Sequence, residues 1–222
     1  MKMKNTLISV WIAVLTFLSG LLNGAAFSLY ASAFSHHTGN LTKAAAAISH
    51  FDFLSAAKIL LLPLSFFAGS FISGVLFYDK DFKLAKRYGV LLMSFSVVFA
   101  CLGFIEAPIL IHSVFICLIL GIQNGMFIFY KGVLIRTAHF TGYLTEAGFC
   151  LGAYFRTKAD KTKHASELKR SLFYLVSILC FMFGAFCSIR IGRSFFFAAA
   201  FIYFICGLCY FTLRKLRHKI RA

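Results

Sequence analysis

One short pattern occurs twice in this chain and restricts how it can fold. Residues 36–42 have the sequence His-His-Thr-Gly-Asn-Leu-Thr, and residues 139–145 have His-Phe-Thr-Gly-Tyr-Leu-Thr. We call these segments the first and the second motif. A Gly/Asn element precedes each one, Gly-Leu-Leu-Asn-Gly at 20–24 and Gly-Ile-Gln-Asn-Gly at 121–125. Two shared elements in the same order indicate an internal repeat, so the chain is predicted to consist of two related halves.

Composition defines the medium in which the halves fold. Of the 222 residues, 60% are hydrophobic and 14% are charged, and the mean hydropathy is +0.84. Soluble domains carry about 25% charged residues. Because one bilayer crossing takes about 20 residues, this length suits about six crossings and leaves no room for a soluble domain. We therefore expect an all-α integral membrane protein, with the lipid bilayer as its partner.

Apolar runs place about six transmembrane helices along the chain. The breaks between neighbouring runs contain charges or helix breakers, as at Glu106–Pro108 and Arg190–Arg193. The segments 43–51 and 146–155, which follow the motifs, are too short to cross and are predicted to be interfacial or re-entrant helices. The predicted spans are 7–34, 54–78, 89–105, 109–135, 171–190 and 194–213.

The net charge of +16 is attributed to membrane topology and not to nucleic-acid binding. The cations crowd into the gaps between apolar runs. With six spans and the N-terminus inside, 19 of the 23 Lys and Arg residues are cytoplasmic. Cytoplasmic loops of membrane proteins are rich in Lys and Arg, so both termini are predicted to be cytoplasmic. Residues 156–170 are then a solvated basic loop, and the C-terminal residues form a basic tail.

The repeat and the span count together predict an inverted architecture. One copy begins with span one and the other with span four, so each half has three spans. An odd number of spans inverts the second half relative to the first. The halves are 1–107 and 108–222, and Phe-Ala-Gly-Ser-Phe at 67–71 has an echo in Phe-Gly-Ala-Phe at 183–186. Many secondary transporters are built from inverted repeats, with their site between the halves near the midplane.

The motifs also carry a family resemblance. The stretch Thr38–Thr42, the element Gly121–Asn124 and the stretch Arg136–Gly142 resemble the YoaK-like family of bacterial inner-membrane proteins, a domain of unknown function. The resemblance extends over about residues 15 to 213. It implies a multi-pass protein of the bacterial inner membrane with about six spans, and it implies no substrate. Asn23 stands where the resemblance leads us to expect an acidic residue, which weakens any proton-coupled role for that position.

Two amides deep in apolar sequence are the leading site candidates. Asn23 and Asn124 each need a hydrogen-bond partner, because an unsatisfied polar group is costly in hydrocarbon. Each shares a helix face with small residues. One interpretation is close helix packing with the Asn bonding across, and the other is that both Asn line a central cavity. The predicted substrate pathway comprises Asn23, Asn124, Gln123, Gly20, Gly24, Gly121 and Gly125.

The two motifs are predicted to act as gates of this pathway. Thr38 lies 15 residues after Asn23, about 22 Å along a helix, whereas half a hydrocarbon core is about 15 Å. The motif therefore lies at the mouth unless the helix breaks and turns back, which Gly39 or Gly142 would permit. A motif threonine would then cap a short helix whose N-terminal amides suit an anion or polar group; a plain capped turn is the alternative. The gate residues are Thr38, Gly39, Asn40, Thr42, Thr141, Gly142 and Thr145.

Few ionisable side chains lie near the motifs. His36 and His139 match across the repeat, but inversion is expected to place them on opposite membrane faces, where they cannot easily share an ion. Interfacial histidines are therefore favoured over a metal site or proton relay. Glu146 is the remaining ionisable candidate. The simpler explanation for it is that its side chain extends so that the carboxylate lies at the membrane surface. No metal or cofactor is predicted, and the seven cysteines are interpreted as buried packing residues.

The sequence does not favour catalysis. It contains no nucleotide-binding loop, nucleophile elbow, HExxH-type zinc sequence or paired carboxylates. We therefore predict that the chain is not an enzyme but a small transporter or permease for an unidentified small molecule. The alternative is a non-transporting membrane protein, either an assembly partner or a membrane-embedded enzyme. Homo-oligomerisation is left open.

Overall fold

The part of the chain that the structure describes is mostly helical, with one short pair of strands. The computed structural model describes residues 2–31, 34–78, 85–126, 128–130 and 133–221. Within these residues the elements are, in chain order, α1 (Lys2–Tyr30), α2 (His37–Ser49), α3 (Phe53–Leu76), α4 (Lys86–Phe104), α5 (Ile109–Gly125), β1 (Ile128–Tyr130), β2 (Val133–Ile135), α6 (Phe140–Arg156), α7 (Lys161–Ile191) and α8 (Phe195–Arg221). A 3-10 turn at Gly192–Ser194 joins α7 to α8.

The outer surface of the helices is apolar. Phe67 and Phe71 on α3 and Phe183 on α7 are exposed by 69%, 64% and 61%. An apolar surface of this kind fits a bilayer and not water. Among the described residues, four helical stretches are long and apolar enough to cross a membrane, and α5 is apolar but shorter. The four stretches are Ser9–Leu29, Phe53–Leu76, Lys86–Phe104 and Lys161–Thr212, the last of which contains α7, the 3-10 turn and α8.

The predicted breaks between helices are confirmed. Residues 105–108 are not helical, and Pro108 directly precedes α5. Gly192 has a φ of 56°, in the left-handed region that favours glycine, and it ends α7. The short segments after the motifs are helical, as predicted, although both helices begin earlier, at His37 and Phe140.

Span four, predicted as 109–135, is wrong at its C-terminal end. The helix stops at Gly125, and β1 pairs antiparallel with β2 in a register that places Ile128 opposite Ile135. Hydropathy measures apolarity and not conformation. The apolar residues here are mostly β-branched or aromatic, types that favour strands, and they follow a helix-ending glycine.

The solvated loop predicted at 156–170 is also wrong. α6 continues to Arg156 and α7 begins at Lys161, so the basic stretch is mostly helix. Asp160 starts α7 as its N-cap, with a carboxylate oxygen that accepts hydrogen bonds from the amides of Thr162 and Lys163, both at 3.1 Å. A single aspartate cap thus extends α7 ten residues ahead of its apolar part.

Helices of the first half pack against helices of the second half. α1 packs along α7, α3 along α5 and α4 along α8, so each main pairing joins a helix before residue 108 to one after it. The short helices pack within their own half, α2 on α3 and α6 on α7. One buried cluster contains residues from both halves, including Phe34, Phe99, Phe196 and Tyr203. The halves 1–107 and 108–222 therefore share a core.

Candidate functional site

Asn23 and Asn124 hold the chain segments that lead into the motifs. The side-chain oxygen of Asn23 accepts hydrogen bonds from the amide of Ser35 at 3.2 Å and from its hydroxyl at 3.0 Å. The Asn23 side-chain nitrogen donates to the carbonyl of Ser19 at 2.7 Å. In the second half, the side-chain oxygen of Asn124 accepts from the amide of Ala138, also at 3.2 Å. Each Asn thus bonds to the backbone just before its own motif.

These bonds require the chain to turn back after α1. Tyr30 ends the helix seven residues after Asn23, about 10 Å further along. Ala31 then has a φ of 48°, which an L-residue rarely adopts, and by Ser35 the chain is again beside Asn23. The first motif therefore lies at the level of Asn23 and not at the end of α1. Of the two geometries left open by the sequence, the structure has the one with the helix break.

The break does not occur at the motif glycines. Gly39 and Gly142 lie in the first turns of α2 and α6, inside the helices. In the first half the reversal is at Ala31, and in the second half the β1–β2 hairpin carries it. The permissive role predicted for these glycines is therefore wrong, because the chain reverses before it reaches them.

Both short helices begin without a side-chain cap. The N-cap residues are His36 for α2 and His139 for α6, and neither side chain makes a capping hydrogen bond. Neither first turn contains an acidic residue. Thr38 and Thr141, predicted as caps, lie inside the helices, since each helix starts one residue before its threonine. Their carbonyls accept hydrogen bonds from the next motif threonines, Thr42 at 3.0 Å and Thr145 at 3.1 Å.

The two helix starts lie close together. The ring of His36 is 6.4 Å from the ring of Phe140, the first residue of α6, and 6.1 Å from that of Phe181. His36 and His139 are the N-cap residues of these two helices, so they belong to the same region. The expectation that inversion separates them onto opposite faces is wrong, because each motif returns toward the centre. Thr38, Gly39, Thr141 and His139 are exposed there, and Gly142 is partly buried.

The predicted glycines lie at helix contacts. A Cβ added to Gly20 would overlap the carbonyl oxygen of Phe181 on α7, and one added to Gly121 would overlap that of Phe66 on α3. Gly24 meets Ser188 and Ala185 in the same way, and Gly125 meets Ser73 and Ser70. Small residues at such places let helix backbones approach closely in a membrane.

These contacts also give the helix directions. Along α1 and α7 they advance together, from Gly20 with Phe181 to Gly24 with Ala185, so the two helices run parallel. The contacts of α5 with α3 advance in the same sense, and those of α4 with α8 advance in opposite senses.

Gln123 on α5 is the centre of a buried polar network that joins residues of both halves. Its side-chain nitrogen donates to the hydroxyls of Ser19 and Thr137, both at 2.9 Å, and to the carbonyl of Leu15 at 3.1 Å. Its side-chain oxygen accepts from the hydroxyl of Tyr203, which is fully buried. The network ties the segment before the second motif to α1 and α8. Sequence reasoning missed Tyr203, although a tyrosine in an apolar run signals the need for a polar partner.

Two predicted site residues remain, Asn40 on α2 and Glu146 on α6. Asn40 is 2% exposed, and its side-chain nitrogen is 3.3 Å from Nδ1 of His37. Glu146 forms a half-exposed ion pair with Arg170 on α7, with 3.8 Å between the charged atoms. Glu146 therefore faces α7. In the described part of the chain, no three His, Cys, Asp or Glu side chains come together in a way that would hold a metal ion.

Comparison with known proteins gives a family and no activity. No curated protein and no solved structure matches the chain. A family model described as a protein of unknown function, DUF1275, matches residues 11–213. The YoaK-like proteins, whose motifs this chain resembles, are part of that family. The chain therefore belongs to the DUF1275 family.

Proposed function

We propose that this protein is a small transporter or permease built from two inverted repeats, α1–α4 and α5–α8. The six crossings are α1, α3 and α4 in the first repeat and α5, α7 and α8 in the second, while α2 and α6 are re-entrant half-helices. Alternating crossings require α1 parallel to α7, α3 parallel to α5, and α4 antiparallel to α8. The glycine contacts have these directions.

Matched contacts support the repeat. The Asn23 and Asn124 bonds to the returning chain have equal lengths and corresponding partners. The packing of α1 on α7 corresponds to that of α5 on α3. The first kind of contact is a hydrogen bond to an Asn side chain, and the second is close helix packing at glycines. The two halves therefore correspond in more than one kind of contact.

One observation carries the functional proposal: the starts of α2 and α6, neither of which has a side-chain cap, lie close together, with the ring of His36 6.4 Å from that of Phe140. The first amides of a helix have no partner inside it, and the helix dipole makes this end positive. Such ends attract anions and polar groups. In secondary transporters with broken helices, half-helix N-termini at the midplane face the substrate.

The predicted site residues then have distinct roles. The exposed motif residues Thr38, Gly39 and Thr141 and the partly buried Gly142 are the ones that a substrate touches, on a pathway between α1 and α5. Asn23 and Asn124 hold the two motifs in place through hydrogen bonds to the chain just before them. In the second repeat, Gln123 adds a hydrogen bond to Thr137. The substrate class favoured by two positive helix ends is a small molecule with a negative or strongly polar group.

A carboxylate placed at the helix start tests the proposal. Thr38→Glu would supply a tethered anion to the α2 amides and compete with the substrate. The test measures uptake of chloride, nitrate, formate and acetate into proteoliposomes of phosphatidylcholine. We expect uptake of at least one anion by the natural protein and a loss of about tenfold or more in the variant, since a charge-assisted hydrogen bond contributes about 1.5 kcal/mol or more. The unfolding temperature should hold or rise, because acids stabilise helix N-termini.

The matched control is Thr162→Glu. Thr162 is the second residue of α7, as Thr38 is of α2, but it lies outside the centre. We expect its uptake to equal that of the natural protein. Uptake of no tested anion above that of protein-free vesicles, or equal losses in both variants, would contradict the proposal and favour a non-transporting membrane protein.

A further inference from the structure

A groove on the outside of the molecule has an apolar floor and a cation at one end. It has a volume of about 250 Å³ and runs between α1 and α7. Ile12 and Ala13 line it on α1, and Leu172, Val176 and Cys180 line it on α7. Lys169 borders it at the N-terminal end of this part of α7 and is exposed.

The glycine contact explains why the groove exists and where it stops. α1 and α7 touch backbone to backbone at Gly20 and Phe181. Before that contact, space remains between side chains of the two parallel helices. Cys180, the groove residue furthest from Lys169, directly precedes Phe181. The groove therefore closes at the contact and opens toward the charged end of α7.

We propose that this groove binds an anionic phospholipid, with one acyl chain along the apolar floor and the phosphate on Lys169. From Lys169 to Cys180 is 11 residues, about 16 Å along a helix. One leaflet of the hydrocarbon core is about 15 Å deep, so the groove has the length of one acyl chain reaching the midplane. Lys169 also lies where the charged first ten residues of α7 meet its apolar part, which is the level of the lipid headgroups.

Charge favours an anionic lipid over a neutral one. The Lys169 end belongs to the side on which most Lys and Arg residues of this chain lie, and the cytoplasmic leaflet contains the anionic lipids. In the register that aligns Gly69 with Gly184, Leu54 takes the place of Lys169 in the first half, and it is 68% exposed. The same position near the other leaflet therefore has no cation. This inference needs the protein to reside in a membrane and does not depend on transport.

Binding of phosphatidylglycerol to the full-length protein in phosphatidylcholine nanodiscs tests the site. A lysine near the membrane surface contributes about fivefold to the affinity for anionic lipid. Lys169→Ala should weaken binding by about that factor, and Lys169→Arg should preserve it. Lys161→Ala removes an exposed lysine of the same helix outside the groove and should have no effect.

A second variant tests the acyl-chain part separately. Val176 is 54% exposed in the groove, so Val176→Trp fills the groove without altering the core. We expect weaker lipid binding with an unchanged unfolding temperature. Equal affinities of Lys169→Ala and Lys161→Ala would overturn the proposal. Displacement of the lipid by inorganic phosphate at equal concentration would also overturn it and indicate a free-ion site.

Discussion

The two chain reversals share one hydrogen bond but differ in backbone conformation and in chemistry. Both are fastened by an Asn that accepts a backbone hydrogen bond at 3.2 Å. Around Asn124, the second reversal adds Gln123, bonded to Thr137 and Tyr203. At the corresponding places of the first reversal are Leu22 and Phe34, both fully buried. The Asn bond is thus common to both reversals, whereas the positions of Gln123 and Thr137 in the second are taken by apolar side chains in the first.

This difference gives the two motifs different mechanical properties. Hydrogen bonds are directional and fix the second segment against α1 and α8. Apolar burial is not directional and allows the first segment to shift with less loss of free energy. We therefore expect the first segment to be more mobile at Phe34 than the second segment is at Thr137.

The largest effects are expected at the glycine contacts, where the halves are alike. Gly20→Ala and Gly121→Ala each force a methyl group into a backbone carbonyl, and each should destabilise the protein by about 3 kcal/mol. Unfolding in mixed detergent measures the loss. Gly148 on α6 has open space beside it, so Gly148→Ala should be neutral or slightly stabilising. A small loss at one of the two contacts and a large loss at the other would break the equivalence of the halves.

The next effect separates the halves. Gln123→Leu leaves the hydroxyl of Tyr203 buried without its acceptor and should destabilise by about 2 kcal/mol. Adding Tyr203→Phe should recover only the part of that loss that comes from the unpaired Tyr203 hydroxyl, because the other partners of Gln123 remain without its side-chain nitrogen. Leu22→Gln should also destabilise, since it puts an amide into the apolar reversal. A double variant less stable than Gln123→Leu would contradict this account of the network.

A smaller difference is expected between the Asn residues themselves. Asn23 makes three hydrogen bonds to Ser19 and Ser35, whereas Asn124 makes one to Ala138. Asn23→Ala should cost about 2 kcal/mol and Asn124→Ala about 1 kcal/mol. Amide hydrogen exchange at Ser35 and Ala138 reports each reversal separately. Exchange at Ser35 should rise more in Asn23→Ala than exchange at Ala138 rises in Asn124→Ala, and the reverse order would contradict this difference.

Sequence reasoning located the helices better than it located the site. α3 and α4 begin and end within a few residues of the predicted spans, because each is an apolar run between breakers. The reversal at Ala31 has no sequence signal, since alanine rarely adopts a positive φ. The partners that Asn23 and Asn124 share are backbone amides. Every residue except proline has such an amide, so the sequence does not show which one is bonded. Apolarity likewise concealed the hairpin after Gly125.

The smallest expected effect concerns the helix caps before α3 and α7. The pKa of Asp160 is lowered from the usual 3.8 by hydrogen bonds from the Thr162 side chain and from the amides of Lys163 and Thr162. The pKa of Asp52 is lowered by bonds from the Ser55 side chain and amide. Because both folded pKa values are lowered, the caps stabilise fully above pH 3.8 and lose this effect as pH falls through the folded pKa.

Amide resonances of Ser55 and Thr162 followed against pH would check both caps. We expect each to titrate with a midpoint below 3.8, and Asp160→Asn should abolish the titration at Thr162 alone. A midpoint at or above 3.8 for either amide would contradict the cap hydrogen bonds.

The central claim is that both motifs return to one place between the halves. Spin labels at positions 38 and 141, in a protein with its seven cysteines replaced, allow the separation to be measured by pulsed electron resonance. The distance between the two labels should be well below the thickness of the hydrocarbon core, which is about 30 Å. A distance of about 30 Å or more would place the motifs on opposite faces and contradict it.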